Sequence, residues 1–202
     1  MLKSLSEALA TAGKADNKKY YLTGAESGRQ RDIGNLEYSK MIQYFDWVNL
    51  MTYNMNGMKA SVYANPLVKD TAEEALSKNN INDSVHTLID LGVPRDKIVL
   101  SVDLLTTICT GMANPPIYDV EKLSKGSVGS EGFYSELKTK YNEKNGFEKH
   151  WDTNTNLPWM YNNKTQTFVS YEDEKSFKQV AQYAVDQGLG GMFLWEWGLD
   201  KN

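Results

Sequence analysis

Four short segments of this chain are apolar almost without interruption, and a stretch with helical periodicity precedes each. The segments are Tyr20-Tyr21-Leu22-Thr23-Gly24-Ala25, Trp47 to Tyr53, Lys97-Ile98-Val99-Leu100-Ser101-Val102 and Gly191-Met192-Phe193-Leu194-Trp195. A strand with one wet face alternates apolar and polar residues, whereas continuous runs such as these suit parallel strands buried on both faces. Helix and strand in alternation predict an α/β fold.

The helical stretches carry their own start and stop signals. Ser4 and Glu7 have capping-box spacing, Ala8, Leu9 and Ala12 share a face, and Gly13 reads as a stop. A second helix is expected from about Asn35 to Phe45. A third is capped by Asn82 or Asp83, carries Val85, Leu88 and Ile89, and ends at Gly92 with Pro94 beyond. Ser170 and Asp173 open the last helix, which has Phe177, Val180, Ala181, Ala184 and Val185 on one side and closes at Gly188. From about Leu104 to Val169 the rhythm breaks. That stretch is rich in Tyr, Asn, Gly and Pro and reads as a small α+β insertion.

Several function classes are excluded. A net charge of −4 argues against nucleic-acid binding, which needs concentrated Lys and Arg. No apolar run approaches the roughly 18 residues of a membrane span. Cys109 is the single cysteine, so no internal disulfide forms, and His86 and His150 have no Cys or His at metal-ligand spacing. The start, Met1-Leu2-Lys3-Ser4-Leu5, lacks the apolar stretch of a signal peptide. No glycine-rich phosphate loop follows any strand. Gly126-Ser127-Val128-Gly129-Ser130 fits a nucleophile elbow in letters only and reads as a flexible turn. Five Trp and twelve Tyr supply faces that pack in cores and also stack on sugar rings.

Two segments point further. Trp47-Val48-Asn49-Leu50-Met51-Thr52-Tyr53-Asn54 resembles the sixth-strand signature of glycoside hydrolase family 18, the chitinases, which usually ends Met-Thr-Tyr-Asp. Phe168 to Ser176, followed by Gly188 to Glu196, resembles the last α-β unit of that family. Asn65-Pro66-Leu67 and Leu91 to Leu100 fit the segment before its seventh strand. The resemblance implies the C-terminal half of a TIM (β/α)8 barrel, about its last four strands. Residues 1–103 would form the first part of the half-barrel, 104–169 the chitinase-type insertion and 170–202 the last barrel unit. It implies Met51 in the pocket floor, Tyr53 hydrogen-bonded to a substrate N-acetyl group, Asn54 at the position usually held by Asp, and Trp195 stacked under the sugar at the cleavage point. No metal or organic cofactor is implied. Full-length relatives are mostly secreted.

The chain also departs from the family pattern. The family's catalytic D-x-x-D-x-D-x-E strand, whose Glu donates the proton to the leaving oxygen, is absent from these 202 residues. The substrate's own acetamido group is the nucleophile in this family, which is why no protein nucleophile is needed. Helix Ser4-Gly13 matches the helix that follows that strand. Asn54 cannot share a proton as Asp does. Leu105, Thr107 and Cys109 stand where relatives carry Tyr, Arg and Trp in the cleft wall, through decay of the segment or a local frameshift. Glu196, Asp200 and Asp46 are weak replacements for the missing acid.

The expected function is therefore that of the C-terminal portion of a chitinase, one that hydrolyses β-1,4-N-acetylglucosamine linkages with retention and is inactive without the proton donor. The alternatives are a non-catalytic chitin or glycan binder and a decayed fragment. Expected partners are chitin or chitooligosaccharides, and either the missing N-terminal half-barrel or a second copy, because an open half-barrel leaves an apolar face and two unpaired edges.

Overall fold

The computed structural model describes residues 1–55, 66–67, 79–113 and 128–200, so Asn65, Gly126 and Ser127 of the segments above lie outside it. Helix α1 (Leu2–Asp16) leads into β1 (Thr23–Ser27). Two single-turn helices, α2 (Gln30–Ile33) and α3 (Tyr38–Met41), precede β2 (Trp47–Met51). Helix α4 (Ile81–Asp90) then leads to β3 (Ile98–Asp103). After β3 come β4 (Leu105–Thr110), β5 (Val128–Phe133), α5 (Tyr134–Thr139), β6 (Glu148–Asp152), β7 (Leu157–Asn162) and β8 (Thr167–Ser170). Helix α6 (Glu174–Asp186) returns the chain to β9 (Gly191–Trp195).

The strands form two sheets. One has four strands in the order β1-β2-β3-β9, all parallel, with Asn49 opposite Val99 and Asp103 opposite Trp195. The other has five antiparallel strands in the order β5-β4-β8-β7-β6. Only Leu104 separates β3 from β4, and its N–H donates to the Trp195 carbonyl at 2.8 Å, which ties the junction of the sheets to the end of β9.

Side chains alternate across the parallel sheet, as they must. Val48, Leu50, Ile98, Leu100 and Val102 are buried against Val85 and Leu88 of α4 and Val180 and Ala184 of α6. On the opposite face Ala25 is exposed, while Trp47, Asn49, Met51, Val99 and Phe193 are half-buried. The apolar runs thus have one fully covered face, the other being buried only toward the end of β3 at Ser101 and Asp103, since four strands do not close a barrel that needs eight.

Local boundaries shift for identifiable reasons. Helix α1 begins at Leu2 and runs past Gly13 to Asp16, and the left-handed Asn17 closes it. Gly13 serves close packing instead, for a Cβ there would sit 2.5 Å from the Lys18 carbonyl oxygen. Strand β1 starts at Thr23, where its pairing with Trp47 begins, so Tyr20 and Tyr21 stay exposed. The single helix expected over 35–45 is reduced to the short α3, whose first residue, Tyr38, is buried and donates to Glu26 at 2.7 Å. Helix α4 is capped at least two residues earlier than expected, by Asn80, whose side chain accepts the Asp83 N–H at 2.8 Å. Val128, Gly129 and Ser130 belong to β5 and pair with Thr110, Cys109 and Ile108, so they are not a turn.

Ser170 closes β8, and Asp173 alone caps α6, accepting the Lys175 and Ser176 N–H groups at 2.9 Å each. Asp173→Ala is expected to cost about 1 kcal/mol, the usual worth of such a cap, and the shift in urea midpoint measures it. An unchanged midpoint would show that α6 holds its first turn without the cap.

Candidate functional site

Strand ends decide where chemistry can sit in a parallel sheet, because the loops leaving the C-terminal ends are free of the packing that fixes the strands. Here β2, β3 and β9 end together. The Thr52 N–H donates to Ser101 Oγ at 2.7 Å and Thr52 Oγ1 donates to the Ser101 carbonyl at 2.9 Å, so the end of β2 is pinned to β3. Tyr53 emerges directly beyond that pin. Its ring lies 6.3 Å from that of Trp195, at an interplanar angle of 24°. Trp195 is 47% exposed, which leaves much of the indole free for a ligand.

Met51 lies two residues earlier on the same face of β2, half-buried, and its carbonyl accepts the Gly28 N–H at 2.9 Å. Gly28 is the residue that fits there, since a Cβ would come within 2.5 Å of that carbonyl oxygen. Asn54 is exposed and left-handed, with φ of 50°, a conformation its short polar side chain tolerates well. Met51, Tyr53 and Trp195 therefore line one rim, and Asn54 turns the chain away from it. The Trp195–Glu196 peptide bond is cis.

Two carboxylates at this rim escaped the sequence analysis. Asp103 ends β3 opposite Trp195 and is 1% exposed. Burial, and after it the Asp103 charge, push the Tyr53 hydroxyl above its usual pKa, so it remains a protonated donor at neutral pH. Glu172 is buried, and among the described residues its Oε2 has no hydrogen-bond partner. Burial pushes its carboxyl up to about 8; a hydrogen bond from Ser176 opposes this, and the charges of Asp103 and Asp173 add to it. The signal for Asp103 was a charge at the end of an apolar strand. Glu172 left no local signal, because its partner lies on a distant strand.

The acids considered as replacements fall in three different places. Glu196 is exposed beside Trp195. Asp200 lines a groove with Tyr134, Phe177, Leu194 and Trp197. Asp46 is at the other end of the sheet, where it accepts the Leu22 N–H at 2.9 Å and pairs with Lys19 at 3.0 Å. Burial opposes its ionisation, but the Leu22 N–H and Lys19 outweigh it and hold the carboxyl below the usual range. Asp46 thus locks two strand starts together.

Thr107 and Cys109 are buried in the antiparallel sheet, Cys109 against Trp159 and Phe168. Burial alone pushes its thiol up to about 11, so it is an inert core group. His150 stacks on Trp159 with ring centroids 4.1 Å apart, and His86 Nδ1 lies 2.9 Å from the Asn82 carbonyl oxygen. Among the described residues no group of three or more His, Cys, Asp or Glu side chains suits a metal ion. The rim offers aromatic faces and a hydroxyl donor, the set that holds the apolar face and one polar substituent of a sugar ring.

Similarity to known proteins extends over nearly the whole chain. The profile of "Glycosyl hydrolases family 18" matches residues 1–200. Chitinase A1 of Niallia circulans is 33% identical over 215 residues, an alignment that takes in 100% of this chain and 31% of the relative. A family 18 N-acetylglucosaminidase structure from Paenibacillus barengoltzii superposes with a TM-score of 0.87 at 30% identity, over 99% of this chain and 58% of that one. A chitinase from Cycas revoluta, solved in complex with (GlcNAc)4, shares the fold at TM-score 0.80 and 22% identity, over 98% of this chain and 58% of that one. The chain thus spans about a third of the curated relative and under two thirds of the solved ones.

Proposed function

We propose, for a chain that belongs to family 18 of the glycosyl hydrolases and forms part of its (β/α)8 barrel, that it is the C-terminal portion of a chitinase and supplies the sugar-stacking side of the cleft. In this reading residues 1–103 and 170–202 build the barrel part and 104–169 the insertion. The observation that carries the proposal is the stacked Tyr53–Trp195 pair on the rim. Trp195 lies under an N-acetylglucosamine ring, and Tyr53 donates its hydroxyl to the acetamido carbonyl. Met51 shapes the floor beneath them.

Hydrolysis of the β-1,4 linkage then proceeds with retention. The acetamido oxygen attacks the anomeric carbon as the glycosidic bond breaks, an oxazolinium ion forms, and water opens it. Tyr53 holds the acetamido group in the attacking geometry, which is the positional part of catalysis. The leaving oxygen needs a proton from the Glu of D-x-x-D-x-D-x-E, which these residues do not contain. By itself, then, the chain binds chitooligosaccharide without turning it over.

Binding of (GlcNAc)4 to the Trp195→Ala variant, measured by calorimetry, tests the proposal. Stacking one sugar face on the indole removes about 80 Å2 of apolar surface from water, worth on the order of 2 kcal/mol or roughly a 30-fold rise in Kd. An unchanged Kd would return Trp195 to a packing role and remove the basis of the proposal.

A further inference from the structure

We propose that Glu172 is a positioning residue for the rim: its proton, held beside the buried Asp103, keeps Tyr53 and Trp195 in their stacked arrangement. Asp103 ends β3 opposite Trp195, and its charge acts on the Tyr53 hydroxyl. The same charge acts on Glu172. One buried acid thus stands in the field of both the rim and a second buried acid. Asp103 is 1% exposed and Glu172 is 4% exposed, so this chain's own residues enclose them and leave no surface of either for further polypeptide to touch.

The two acids lie at the seam between the sheets. Leu104, next to Asp103, donates its N–H to the Trp195 carbonyl, and its own carbonyl accepts the Tyr134 N–H at 2.9 Å. Glu172 stands two residues beyond Ser170, whose partner across the ladder is Thr107 of β4. One residue further, Asp173 caps α6, and α6 packs on β3 and β9. A displacement of Glu172 therefore reaches the end of β9, and with it Trp195, through the backbone on either side.

Protonation decides whether Glu172 stays in place. Its Oε2 has no partner among the described residues, and the charges of Asp103 and Asp173 that act on it are both negative. As a neutral acid it adds no charge to this enclosed site. As an anion it sets a second negative charge near Asp103 where water is excluded, a cost relieved by turning the carboxylate out to solvent and opening the seam. Tyr53 lies in the field of Asp103, and Tyr134 and Tyr171 lie in that of Asp173; Asp200 and Glu174 also act on Tyr134. Burial raises all three phenols above their ordinary value, so they stay neutral while Glu172 titrates.

Tryptophan fluorescence of the sugar-free chain, followed from pH 6 to pH 9, should show one transition centred near a pH of about 8. Trp195→Phe should remove most of its amplitude, and Glu172→Gln should abolish it. Far-UV circular dichroism should stay level throughout, because the rim moves and the fold does not. A parent without the transition overturns the proposal, as does a transition that survives in Glu172→Gln or one that tracks loss of circular dichroism. The consequence for sugar rests on the proposed function. The Kd for (GlcNAc)4, by calorimetry, should rise about tenfold between pH 6.5 and pH 9 in the parent and stay level in Glu172→Gln. Equal Kd at both pH values in the parent overturns the positioning role even where the transition is seen. A chain that shows the transition yet binds no (GlcNAc)4 at either pH supports the positioning role and sinks the sugar-binding reading instead.

Discussion

Replacing Glu172 with Gln is expected to remove a loss of stability that the parent chain suffers as pH rises from about 5 to 8. The carboxyl is buried and its pKa in the folded chain is raised to about 8 from an ordinary 4.5. Between those values the folded state holds a proton that the unfolded state has released. Stability therefore falls with rising pH through that window. The full effect is on the order of 5 kcal/mol, a large fraction of what a domain of this size has to spare. Its origin is first the burial of the carboxyl in a site that excludes water, to which Asp103 and Asp173 add their charge. Gln preserves the shape and the contact with Ser176 and has nothing to ionise. Urea midpoints at pH 5 and pH 8 should converge for Glu172→Gln and separate for the parent. Parallel profiles for the two proteins would mean that Glu172 is solvated in solution, contrary to its burial here.

That pair of acids also marks the limit of what the sequence makes legible. Strand β9 is predicted residue for residue, because Gly191 to Trp195 is an apolar run with a glycine stop just before it. Gly188 and Gly92 stand at φ of 64° and 91°, so their reading as helix stops has a backbone cause. The rim is legible through the family resemblance, which singles out Tyr53 and Trp195 at or just beyond the ends of strands that the pattern makes parallel. Failures occur where a distant group decides. Tyr20 and Tyr21 look like strand residues but have no partner strand beside them until Thr23 meets Trp47. Tyr38 interrupts a helical pattern because Glu26, on another element, accepts its hydroxyl. Asp103 and Glu172 meet only because the antiparallel sheet folds back from the end of β3 to the start of α6, and no periodicity encodes that return.

The 202-residue chain is expected to show no measurable hydrolysis of a fluorogenic chitobioside, even at concentrations that saturate binding. A positioned general acid contributes roughly 10²–10⁴-fold, and without it the leaving oxygen departs as a poor anion. The acids near Trp195 do not supply that function. Asp103 and Glu172 are buried, and a catalytic acid must reach the bond it protonates. Glu196 is the exposed candidate, one residue beyond Trp195, yet it stands in open solvent, without the enclosed setting that positions a general acid. The Glu196→Gln variant should therefore match the parent, both at background. Turnover by the parent that disappears in Glu196→Gln would instead make Glu196 the proton donor, and the chain would be an enzyme in its own right. Under the proposed function binding and turnover are therefore expected to separate: Trp195→Ala should weaken the first, and the second should need an acid that the rim of this chain does not present.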